Sequence, residues 1–148
     1  MLFKKEHSLI NDKPINIIKN QLKSSNDDIR VSEISEEKLH GLMKNKYGTG
    51  FSIVSEIDLE SISSEKTSIR IKNQFDLITN LLLIGMFIVL WGISIYKLTI
   101  GDKTLSYELI LMLTFPIIGT LITKLSFIIY DKRIMKIYYS LLNSKEPN

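Results

Sequence analysis

Apolar residues are distributed in two different ways along this chain. Through the first 74 positions they come in short periodic groups between polar residues. Asn11-Asp12-Lys13-Pro14 reads as a helix start, with Asp12 as the cap and Pro14 in the first turn. Ile15, Ile18 and Leu22 then recur on one helical face, and Ser24-Ser25-Asn26-Asp27-Asp28 closes the helix in a turn. Ile29-Arg30-Val31 has weak strand character, 39–43 fits a strand or a helix, and 6–10 is a further candidate strand. The strongest alternation follows. Phe51, Ile53, Ile57 and Leu59 alternate with Ser52, Glu56, Asp58 and Glu60, with Val54 and Ser55 out of register. After a turn at 61–65, Thr67, Ile69 and Ile71 alternate with Ser68, Arg70 and Lys72. The pair predicts an antiparallel hairpin with one wet face, placing Glu56 or Glu60 near Arg70 or Lys72.

The pattern then changes. Residues 77–96 contain no charge, and at 1.5 Å per residue that run is about 30 Å long, the thickness of a bilayer's hydrocarbon core. Trp91 and Tyr96 sit near its far end, as interfacial aromatics do. A second run, 109–130, is interrupted only by Lys124, whose stem can snorkel toward the interface. Pro116 predicts a kink there, with Thr114 and Thr120 as nearby hydroxyls. The connection between the runs is short and contains Gly101-Asp102-Lys103, so the runs form a helical hairpin. Beyond it Ile134, Ile137, Tyr138, Leu141 and Leu142 recur at helical spacing, which predicts an amphipathic helix continuing from the second run. It could lie on the membrane surface or cover the N-terminal sheet; the second is preferred, because that sheet otherwise lacks a cover. Residues 143–148, with Pro147, are expected to be disordered.

The fold class expected is therefore a small cytosolic α+β domain, a helix plus an antiparallel hairpin or sheet, fused to a two-helix transmembrane hairpin. The divisions are 1–74 for the domain, 75–97 and 109–130 for the two transmembrane helices, 98–108 for a short extracytoplasmic loop and 131–148 for a cytosolic amphipathic tail.

Charge supports this division and orients it. The chain is 45% hydrophobic and 24% charged overall, yet 75–130 holds only six charges. Lys66, Arg70 and Lys72 precede the first run, and Lys132, Arg133, Lys136 and Lys145 follow the second, against Lys97 and Lys103 between them. That imbalance places both termini in the cytoplasm of a multi-pass plasma (inner) membrane protein. The N-terminal residues lack the apolar stretch of a signal peptide.

Chemistry is sparse. There is no Cys and there are only two His, His7 and His40, which excludes thiol nucleophiles and Cys-ligated metals. Tyr47-Gly48-Thr49-Gly50-Phe51 precedes a strand instead of following one, so it reads as a turn and not a phosphate loop. No catalytic residue, metal site or cofactor is expected, and the net charge of +3 gives no basis for nucleic-acid binding. The candidates that remain lie at the membrane. Lys124, Asp76 and Asn80 form a candidate intramembrane polar group, Lys124 either snorkelling or pairing with Asp76. Gly85 with Gly92, and Gly119 with Ser126, are small residues at seven-residue spacing suited to close helix packing, Gly85 facing Gly119.

SLINDKPINIIKNQLK, followed later by GFSIVSEIDLES and KTSIRIKN, resembles the opening and central strands of START-like (polyketide-cyclase-like) domains over residues 6–72. The resemblance implies a curved antiparallel sheet that grips a long C-terminal helix and encloses an apolar ligand cavity. A sheet this short must bury its apolar face against a neighbouring subunit, the membrane surface or the C-terminal tail.

The function expected is a non-enzymatic membrane module whose cytosolic domain senses or docks, on a hairpin that anchors or oligomerises, as in accessory, immunity, stress or membrane-effector proteins. The alternative is a membrane-anchored protein binding a lipid or an apolar small ligand. The partners expected are the lipid bilayer and either further copies of the chain or another membrane protein.

Overall fold

A computed structural model describes residues 3–24, 28–43, 52–100 and 107–142. The glycine turn at 47–51, the connection at 101–106 and the end at 143–148 lie outside the described residues. The fold is α+β. Strand β1 (Lys4–Asn11) leads into helix α1 (Ile15–Lys23), followed by β2 (Ile29–Ser35), β3 (Lys38–Met43), β4 (Ile53–Ser63) and β5 (Lys66–Phe75). Two long helices complete it, α2 (Leu77–Ile100) and α3 (Tyr107–Leu142).

The five strands make one antiparallel sheet in the order β1-β5-β4-β3-β2. The β4–β5 hairpin is the pair read from the alternation, with Ile57 opposite Ile71 and Leu59 opposite Ile69. The candidate strand at 6–10 is the middle of β1, which closes the order by pairing with the last strand, His7 opposite Ile71. Alternation in β4 is unbroken: Ile53, Ser55, Ile57 and Leu59 all face the core. Ser55 looked out of register because it is a polar residue pointing inward. On the wet face Glu56 stands opposite Lys72, as the alternation places it, but the ion pairs run elsewhere. Lys72 pairs diagonally with Asp58 at 3.2 Å, and Arg70 reaches across to Glu6 on β1 at 3.2 Å. Glu56, opposite Lys72, accepts instead from Gln74.

Asp12 does not cap α1. Pro14 stands at the N-cap, its carbonyl accepting from Ile17 and Ile18, while Asp12 is exposed beside Lys66. Pro14, with φ fixed at −59°, presets the helix entry, and the helix starts after it with no side-chain cap.

One face of the sheet is covered and the other is open. Ile18 and Leu22 of α1, and Ile134, Met135, Tyr138, Tyr139 and Leu142 of α3, are buried against Leu39, Ile57, Ile69 and Ile71 of the sheet. Each such side chain contributes about 1.5–3 kcal/mol on leaving water, and the short sheet obtains its cover this way. Asn11 ties the end of the tail down, its Nδ2 donating to the Leu142 carbonyl at 3.2 Å. The tail is no separate element: α3 is one helix of 36 residues that runs through Pro116 to Leu142.

Position 41 must be glycine. A Cβ there would overlap the Tyr138 hydroxyl and stand 3.3 Å from the Ser55 Cβ, so β3 can lie against the tyrosine only without a side chain.

α2 and α3 are each long and apolar enough to cross a membrane. They pack along stripes of their own: Asn80, Leu83 and Ser94 are buried on α2, and Pro116, Thr123 and Phe127 on α3. The remaining faces carry exposed aliphatic side chains, among them Leu81, Ile88, Ile95, Ile118, Leu125 and Ile129.

Candidate functional site

The described polar chemistry converges where the sheet meets the two long helices, in two adjoining clusters with an aromatic contact between them.

The first cluster joins β5 to α2. β5 ends at Phe75, and Asp76 caps the helix that follows: its Oδ1 accepts from the Thr79 N–H at 2.6 Å. The Asp76 N–H donates to the Ser52 carbonyl at 3.0 Å, and the Ser52 N–H to Thr79 Oγ1 at 3.3 Å. Asn80 Nδ2 donates to the Phe75 and Asp76 carbonyls at 2.8 and 3.0 Å. The strand thus passes into the helix with its backbone groups held from β4's entry, which makes a stiff joint.

The second cluster centres on Asp131, whose side chain is fully buried. Its carboxylate accepts from Asn73 Nδ2 at 2.8 Å, from His7 Nε2 at 2.9 and 3.1 Å, and from Lys5 Nζ at 2.9 Å. Asn73 Oδ1 in turn accepts from Ser55 Oγ at 2.6 Å. Neighbouring strands supply each partner at matching register, Lys5 opposite Asn73 and Ser55 opposite Asn73. Burial pushes the Asp131 carboxyl up, and the donors Asn73, Lys5 and His7 outweigh it, so its pKa falls below the ordinary carboxylate value. Two turns further along α3, burial pushes the Tyr138 phenol up to about 12, against a smaller opposing pull from Ser55. Among the described residues the Tyr138 hydroxyl has no hydrogen-bond partner, so its link to Ser55 is proximity and not a formed bond.

Phe3, Phe75 and Phe127 pack between the clusters. Phe75 meets Phe3 edge-on at 5.9 Å and Phe127 at 5.2 Å, and Phe3 stacks on Phe127 at 6.1 Å. Strands β1 and β5 are thereby fastened to α3 one turn before Asp131.

The residues anticipated from sequence fall as follows. Asp76 and Asn80 share the β5–α2 joint, each engaged with backbone. Lys124 is exposed and makes no hydrogen bond or ion pair among the described residues, so it is not brought to Asp76. Gly85 and Gly92 are exposed, and a Cβ at Gly85, Gly92 or Gly119 would meet nothing within 4 Å. The glycines therefore lie off the α2–α3 contact, with Gly119 and Ser126 half-buried at its margin. Leu83 and Phe127, by contrast, are buried in the core cluster.

Asp131 was missed, as were its partners Lys5, His7, Asn73 and Ser55. A signal was present: Asp131 is the one acid among Lys132, Arg133 and Lys136, immediately after the second apolar run.

On the sheet's open face a hollow of about 240 Å³ is lined by Lys38, His40, Glu56, Asp58 and Lys72, together with Ile34 and Leu39. Its charges are mixed, and it lies across the sheet from the apolar space that the START-like resemblance implies. Among the described residues no three His, Asp or Glu side chains converge to hold a metal. Comparison with protein-family models, with curated proteins and with solved structures finds no match. The START-like likeness therefore rests on the sequence pattern of residues 6–72 alone.

Proposed function

We propose that this is a non-enzymatic integral membrane protein in which α2 and α3, up to about Tyr130, form a bilayer-spanning hairpin. The sheet domain sits on the cytoplasmic side and senses or docks a partner, and the polar joint passes changes between sheet and hairpin. The observation that carries this reading is exposure. In the most apolar stretch of each long helix only 22% of the residues are buried. The core helix of a soluble protein is mostly buried, and apolar patches of this extent are not left facing water.

Three further features agree. α2 has 24 residues, and 107–130 has the same number, about 36 Å by helical rise, enough to cross with some tilt. The hydroxyls of Ser94, Thr99, Thr114, Thr120 and Thr123 each donate to the carbonyl four residues earlier, so none is left unpaired toward lipid. Hydropathy alone carries the second apolar stretch on to Leu142, but 131–142 is docked on the sheet, which supports a span that ends before Asp131.

The orientation follows the Lys/Arg distribution. Cysteines placed singly in this Cys-free chain at Ser106 and Ser144 test it in intact cells. An impermeant thiol reagent should label Ser106→Cys and spare Ser144→Cys. Labelling of Ser144→Cys alone would invert the topology, and recovery of the protein in the soluble fraction would end the membrane reading.

A further inference from the structure

α3 changes character on its outward side at a single level. Leu125 and Ile129 are exposed aliphatic positions there, and the next exposed positions are Lys132, Arg133 and Lys136. At 100° per residue Leu125, Ile129, Lys132 and Lys136 fall within about 60° of one another, one continuous stripe. Lys132 and Lys136 stand roughly 4 to 11 Å beyond Ile129 along the axis. A bilayer's headgroup region occupies about 5–8 Å on each side of a core of about 30 Å. If Ile129 is the last residue against acyl chains, Lys132 lies within the headgroup layer, and Lys136, just beyond it, has a stem that leans back toward the helix N-terminus and can reach the phosphates.

Their local charge is uncompensated. Lys132 and Lys136 are four residues apart on one helix face, where like charges repel, and neither makes a hydrogen bond or ion pair among the described residues. Asp131 is next in sequence but points to the other side, buried and engaged with Lys5, His7 and Asn73. The tail cannot rotate to bring it round, because Ile134, Tyr138 and Leu142 are fixed in the sheet core. Two cations one helical turn apart are thus presented on a fixed helix face, directly below an aliphatic stripe.

We propose that Lys132 and Lys136 form a binding site for the phosphate of an anionic phospholipid, whose acyl chains lie along Leu125 and Ile129. The inference rests on the membrane-spanning reading of α2 and α3. It commits to lipid as the source of the phosphate, since the aliphatic and cationic positions form one stripe and a free anion would use only the second.

The test uses the full chain reconstituted in phosphatidylcholine vesicles containing a minor fraction of phosphatidylglycerol. Flotation first shows whether the protein is in the bilayer. Mild detergent extraction then gives the composition of the lipid retained on the protein. Retained lipid should be enriched in phosphatidylglycerol over the vesicle. A lysine near an anionic surface contributes about fivefold in affinity, so Lys132→Gln with Lys136→Gln should lower the preference by up to about 25-fold. The charge-matched control, Lys38→Gln with Lys66→Gln on the sheet, should keep it, and both double variants should melt like the parent. Retained lipid at the vesicle ratio in the parent overturns the site, as does enrichment that survives in the Lys132/Lys136 variant; an acidic protein segment as the true occupant would give the first result. Failure to float with vesicles of either composition would reject the membrane reading itself, and the lipid site with it.

Discussion

The two halves of α3 share one helix and have opposite surroundings. Before Asp131 its outward positions, such as Ile118, Leu121, Ile122 and Leu125, are aliphatic and exposed, and only a narrow stripe packs on α2. After Asp131 the outward positions are charged, and Ile134, Tyr138 and Leu142 are fully buried in the sheet. In the first half bulky apolar groups cover most of the surface, as a helix in lipid requires; in the second they are confined to one stripe, as a helix on a sheet requires. Asp131 marks the change. A carboxylate would be costly within a bilayer, and here it is placed where three side-chain donors meet it.

If the second half is cemented by packing and the first is not, the largest effects should come from the sheet side. Tyr138→Ala removes a fully buried ring from between β3 and α3 and should cost about 3–5 kcal/mol, read from the thermal midpoint of the detergent-solubilised protein. Tyr138→Phe removes only the unpartnered hydroxyl and should be neutral or stabilising by about 1 kcal/mol. A large loss in Tyr138→Phe would show that the hydroxyl has a partner. Leu125→Ala, an equally apolar truncation on the exposed half, should leave the stability within about 0.5 kcal/mol of the parent.

The Asp131 cluster comes next. Asp131→Asn weakens the contacts with Lys5 and His7 and should cost about 1–3 kcal/mol, moderated because the Lys5 side chain is 44% exposed. Because the folded-state pKa of Asp131 lies below its ordinary value, its contribution is complete above that value. It is lost as pH falls through the lowered folded-state pKa, in the acid range below about pH 4. Melting curves from neutral to acid pH should show that loss in the parent, and Asp131→Asn should lack the component. An unchanged acid limb in the variant would remove Asp131 from the account.

Smaller effects belong to the proposed membrane boundary. Asp76→Ala should cost about 1 kcal/mol through loss of the α2 cap. Lys124→Leu should be neutral or mildly stabilising, since an exposed lysine that snorkels gives up only a desolvation cost. A large loss in Lys124→Leu, or strong non-additivity with Asp76→Asn, would reveal a partner for Lys124.

The sequence was legible where one environment governs a whole segment. The charge-free run beginning at 77 and the alternating pairs around Ile57 and Ile71 each have a single periodicity and became α2 and the β4–β5 hairpin. It was less legible where two neighbours share a residue. Ser55 and Asn73 face inward because they bond each other across strands, so each looks like a fault in its own strand's pattern. Asp131 takes its meaning from Lys5 and His7, more than a hundred residues away, and spacing within one element cannot reveal that meeting. The glycines illustrate the converse. Gly85 and Gly92 have helix-packing spacing but face open space, while Leu83 and Phe127 are buried, and the aromatic group around Phe75 becomes visible only once β1, β5 and α3 are brought together.

The account stands or falls on a boundary between Ile129 and Lys132. Spin labels on single cysteines can be placed along the outward stripe at Ile118, Leu125, Ile129, Lys132, Lys136 and Ser140 of the Cys-free chain. In the vesicle-reconstituted protein their collisions with oxygen and with a water-soluble nickel chelate report depth. Oxygen contact should dominate through Ile129, and nickel contact should take over by Lys136. Nickel contact at Leu125 comparable to that at Ser140 would contradict the membrane span, and oxygen-dominated contact continuing through Ser140 would contradict the docking of the tail on the sheet.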